Sequence, residues 1–206
     1  MPLPAAEVPP LDPAQSQAIS TARKAQRGFA FAIKLAKFNG VSLLLAAALS
    51  VMLALFDPGL LLSAAGLAAC GWFELHAGKR LAQYEPRALR WLAANQLLLM
   101  AAVVIYAGVQ LQATLSGQSS LSAELASHPE LATMLASIDD PAVQDMLTSM
   151  DDMYRYGKLL VYAIVIGVTL VAQGGAALYY LSRRKHLREF VTGTPGWVRE
   201  HLQRDV

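Results

Sequence analysis

The stretch FNGVSLLLAAALSVMLALF, Phe38 to Phe56, decides how the rest of the chain is read. It carries no charge, and Lys37 and Asp57 close it at either end. A helix rises 1.5 Å per residue, so about 20 apolar residues match the ~30 Å hydrocarbon core of a bilayer. Three more runs repeat the pattern. Pro58 to Ala77 holds one charge, Glu74, Trp91 to Leu111 holds none, and Leu159 to Ser182 lies uncharged between Lys158 and Arg183. The composition of the 206 residues agrees, with 55% AVILMFWYC and 16% DEKR against about 45–50% and 25% in soluble domains. The expectation is an all-α integral membrane four-helix bundle.

The first block is longer than the apolar core of a cleaved signal peptide and has no convincing cleavage site, so it reads as a retained anchor. Fifteen of the seventeen Lys/Arg flank the spans on one side. They are Arg23, Lys24, Arg27, Lys34 and Lys37 before span one, Lys79 to Arg90 between spans two and three, and the tail after Ser182. The other side holds Arg155 and Lys158 among eight acids from Asp57 to Asp152. The positive-inside rule then puts both termini in the cytoplasm of a cell (inner) membrane protein, as an even number of spans requires. A net charge of +2 is no nucleic-acid footprint, and one cysteine excludes an internal disulfide.

Residues 1–13 are Pro-rich and expected to be disordered. Residues 14–37 read as a basic amphipathic helix with Ala22, Phe29, Ile33 and Ala36 opposite the cations, lying on the inner leaflet or leading straight into span one. Spans one to three occupy 38–111. Asp57-Pro58-Gly59 marks a tight turn. The 112–157 link is too long for a connector and shows helical periodicity at Leu131, Met134, Leu135 and Ile138, and again from Val143 to Tyr154. Ser127 to Glu130 has the form of a capping box, and Asp140 before Pro141 that of an N-cap. The link is expected to form an acidic extracytoplasmic cap of short amphipathic helices. Span four follows over 158–182, and a basic tail over 183–206.

Polar residues inside spans are costly and mark hypotheses. Glu74 falls about 7 Å inside the cytoplasmic boundary, and Asn95, Gln96 and Asn39 fall at the same level. That layer reads either as interhelical hydrogen bonding or as an ion- or proton-handling site. Gln173 lies near mid-membrane. With Gly66 and Cys70, and Ala172 and Ala176, it suggests a packing or oligomer seam. Arg183, Arg184, Lys185 and Arg188 form a juxtamembrane cluster suited to anionic lipid headgroups. Trp197, Val198 and Leu202 are expected in the membrane interface.

The chain carries no Walker A, GxSxG, HExxH or dinucleotide motif and no histidine–carboxylate set with ligand spacing. No catalytic residue, metal site or cofactor is therefore expected. The expected function is a non-enzymatic scaffold or accessory subunit, homo-oligomeric or held by a membrane-protein partner. The alternative is a small channel or transporter using Glu74, Asn95 and Gln96.

Overall fold

The computed structural model describes residues 12–55, 58, 60–116, 130 and 141–203, with no side-chain description at 141, 142 and 144. The tail before residue 12, the turn residues Asp57 and Gly59, the first cap helices with their capping box, and the Asp140 N-cap lie outside these residues. Among the described residues every regular element is a helix, and four helices are long and apolar enough to cross a membrane.

The first helix, α1, runs unbroken over Pro13–Leu53 for 41 residues. Pro13 takes the first helical position, where its missing N–H costs nothing, and the Asp12 N–H donates to Gln15 Oε1 at 3.2 Å. Nothing interrupts the helix at Lys37, so the basic segment leads directly into the first apolar block. α2 covers Leu60–Ala82, α3 Ala88–Leu115, α4 Pro141–Ser182, α5 Arg184–Gly193 and α6 Gly196–Gln203. The periodic segment from Val143 to Tyr154, expected as a separate cap helix, is continuous with span four inside the 42-residue α4. Only Gly157 separates the two patterns, and one glycine costs too little to end a helix.

The chain divides into two compact units, Met1–Asn95 with Ala176–Val206, and Gln96–Gly175. In the first unit α1 and α2 lie antiparallel. Their backbones meet at Gly40 and Gly71, where a Cβ on either glycine would sit 3.0 Å from the other's carbonyl oxygen. One core fills this unit, and Phe29, Ala36, Leu81, Leu89, Leu187 and Leu202 are among its members. At its centre the rings of Phe29, Tyr84 and Phe190 touch pairwise at 4.9 to 6.0 Å between centroids.

Tyr84 gets there by an unusual turn. α2 ends with Glu85 N–H bonding to the Arg80 carbonyl and Tyr84 N–H to that of Leu81, which is the Schellman pattern. That pattern places Tyr84 at the position usually held by glycine, with φ +60°. The strain is retained because the ring is buried and Gln26 Nε2 donates to the Tyr84 hydroxyl at 3.1 Å.

α5 and α6 fold onto α1. Gly28 lets the His186 side chain approach, since a Cβ there would lie 3.2 Å from its ring. Two expectations change here. The apolar face of residues 14–37 does not lie open to an inner leaflet, because Ala22, Phe29, Ile33 and Ala36 are buried within the chain. Val198 and Leu202 likewise belong to the core rather than to an interface, and Trp197 alone of that trio remains exposed. Water-exposed amphipathic helices bury their apolar stripe on the nearest complementary one, and three such stripes are available at this end.

In the second unit the C-terminal part of α3 runs antiparallel to α4. Arg155 donates to the Leu115 carbonyl at 3.2 Å, and Tyr106 and Tyr162 share a hydrogen bond. Lys158 sits over the Tyr154 ring at 4.4 Å.

Candidate functional site

Glu74, Asn95 and Asn39 come together in the first unit. Glu74 stands on α2 with no exposed surface, and its neighbours through the helix turn, Gly71, Ala77 and Gly78, are buried too. Such a stripe faces inward, so the carboxyl group is carried into the protein and not towards lipid. Asn95 on α3 donates through Nδ2 to Glu74 Oε2 at 2.7 Å, and the same nitrogen reaches the Cys70 carbonyl at 3.2 Å. Both amide hydrogens thus hold one turn of α2. Tyr180 on α4 donates its hydroxyl to Glu74 Oε1 at 3.0 Å. Asn39 on α1 lies within hydrogen-bond reach of that hydroxyl.

The result is a hydrogen-bonded chain, Asn95–Glu74–Tyr180–Asn39, with one residue from each of the four long helices. A carboxylate buried without donors is expensive, and each oxygen here has one. Gln96, the fourth expected member, is buried at 1% exposure. It follows Asn95 directly on α3 and so leaves the helix about 100° away from it.

Sequence reasoning missed Tyr180. The signal that could have found it was depth. Tyr180 and Glu74 both lie a few residues inside the same boundary. Its neighbour Tyr179 instead carries the Arg183 guanidinium over its ring at 4.9 Å.

The polar residues beside this chain also have partners. His76 stacks on Trp72 at 5.2 Å and accepts from Arg80 Nε at 3.1 Å. Arg80 covers the Trp91 ring at 4.9 Å and pairs with Glu85 at 3.4 Å. Glu74 and His76 therefore serve different faces of α2.

The proposed seams fare differently. Gly66 and Ala172 are exposed, and nothing lies within 4 Å of a Cβ built at Gly66. Cys70, Gln173 and Ala176 are half-buried. Within the chain the close approach of helices is made by Gly40 and Gly71. Of the basic cluster, Arg184, Lys185 and Arg188 are exposed on α5 while Leu187 and Phe190 are buried, so the cations form its outer face. Among the described residues no group of three or more His, Cys, Asp or Glu side chains could hold a metal ion.

No protein-family model, curated protein or solved structure matches this chain.

Proposed function

We propose that this chain is a non-enzymatic multi-pass membrane protein that acts as a scaffold or accessory subunit of a membrane assembly. The observation that carries this reading is the Asn95–Glu74–Tyr180–Asn39 chain. Both carboxylate oxygens and both Asn95 amide hydrogens are spent on joining helices. A group committed in this way orders a bundle, and ordering is what a scaffold requires.

Four apolar helices supply the membrane anchoring. We place both termini on the cytoplasmic side of a cell (inner) membrane, on the strength of the Lys/Arg asymmetry. Arg183, Arg184, Lys185 and Arg188 then meet anionic headgroups at that face. A homo-oligomer or a membrane-protein partner covers part of the apolar surface. Cysteines introduced one at a time at Glu200 and Asp152 in a Cys70→Ser background test the orientation. An impermeant thiol reagent applied to intact cells labels the second and spares the first.

A second reading, a small channel or transporter, draws on the same chain, because linked hydroxyl, amide and carboxyl groups can also pass a proton. One variant separates the two. In proteoliposomes, Glu74→Gln of a scaffold lowers thermal stability or assembly and leaves fluxes of protons, cations and small solutes unchanged. Loss of a Glu74-dependent flux in a variant that still folds and assembles overturns the scaffold reading.

A further inference from the structure

Between α1 and α6 runs a groove of about 430 Å³, lined by Ser16, Ser20, Arg23, Lys24 and Arg27 of α1 and by His201 of α6. We propose that this groove binds a phosphate-bearing ligand arriving from the aqueous phase. The α1 residues recur at helical spacing and so share one face. Other residues of the same helix turns, Ala22 and Phe29, are committed to the core, which fixes how that face is turned. The opposite wall is fixed too. Val198 and Leu202 have no exposed surface and pin α6, which sets His201 beside the α1 cations.

Among the described residues the lining has no carboxylate, and besides Arg23 it brings together the Ser16 hydroxyl, the permanent cations Lys24 and Arg27, and the His201 imidazole. A guanidinium fork, an ammonium and a hydroxyl are a set that recognises a phosphate group, through charge-assisted hydrogen bonds. The volume falls within the ~300–1,000 Å³ usual for small-ligand sites.

Headgroups of the surrounding bilayer are out of reach. α1 is continuous, and Lys37 marks the start of its apolar part. Arg27 lies ten residues before Lys37 and Arg23 fourteen, or about 15 and 21 Å along the axis. The polar layer of a bilayer extends only about 5–8 Å beyond the hydrocarbon on each side.

The test uses the full chain in nanodiscs of zwitterionic lipid, titrated with inorganic pyrophosphate by calorimetry. The expected result is saturable binding at one site per chain. Lys24→Gln and Arg27→Gln each weaken it about tenfold, the usual worth of one charge-assisted hydrogen bond. His201→Gln, on the other wall, weakens it severalfold, which a merely solvated α1 face would not produce. The double variant Arg184→Gln/Arg188→Gln removes as much charge from α5 and changes binding less than twofold. All of these positions are exposed, and unchanged melting temperatures establish that the variants fold. Absence of saturable binding, equal loss in the α5 variant, or displacement of pyrophosphate by anionic lipid added to the same discs overturns the proposal.

Discussion

At the scale of single residues, the chain through Glu74 makes the sharpest demands. Tyr180→Phe keeps the ring and removes the hydroxyl that donates to Oε1. Interhelical hydrogen bonds in membranes are worth about 1–2 kcal/mol at most, so thermal unfolding in detergent should register a loss of that size. Tyr84 shows the opposite balance of backbone and side chain. Its φ of +60° favours glycine by about 1 kcal/mol, yet Tyr84→Gly empties the space between Phe29 and Phe190. Deleting a buried aromatic ring costs about 3–5 kcal/mol, so the variant should lose about 2–4 kcal/mol in spite of the relieved strain. Tyr84→Phe, which keeps the ring and loses the bond from Gln26, should lose about 1 kcal/mol. A Tyr84→Gly protein as stable as the wild type would mean that the aromatic cluster contributes little.

At the scale of elements, two glycines on α2 stand in opposite surroundings within the chain. A Cβ at Gly71 would lie 3.0 Å from the Gly40 carbonyl and 3.1 Å from Leu43 and Leu44, so Gly71→Ala must push α1 and α2 apart. Overpacking of this kind costs about 1–3 kcal/mol. Gly66 has open space around it, and Gly66→Ala should be neutral or gain up to ~1 kcal/mol from helix propensity. Opposite signs in unfolding measurements would bear out this division. Equal losses would mean that Gly66 meets a second chain. The short helices α5 and α6 hold on through few side chains, and Leu202→Ala removes one with no exposed surface. A loss of about 2–4 kcal/mol is expected, with faster amide exchange over α6 than over α2.

At the scale of the whole molecule, the distribution of exposed apolar surface matters more than its amount. Leu62 is 83% and Val171 79% exposed, and the apolar window of the fourth candidate span contains no buried residue. In water such surface would drive association. In lipid it needs no protein partner, because hydrocarbon is as apolar as leucine. Diluting the detergent below its micellar concentration should therefore precipitate the protein, and nanodiscs should keep it dispersed. Light scattering distinguishes the two.

The sequence by itself determined the solvent and the long elements. A charge-free run such as Phe38 to Phe56 has one stable form in hydrocarbon, a helix that satisfies its own backbone, so length and composition suffice to read it. Depth was legible as well, because 1.5 Å per residue set Glu74, Asn95 and Asn39 at one level before any contact was known. Rotation about each helix axis was not, since spans that are apolar on every side give no periodic signal to tell an inward from an outward face. For that reason Tyr180 and Gly71 were not singled out, and Val198 and Leu202 looked free to meet the membrane. Only the tertiary structure decided these, because which side chains meet depends on how the helices turn and pack against one another. The same packing seats α6 beside the basic face of α1, in a groove formed by residues some 180 positions apart in the chain.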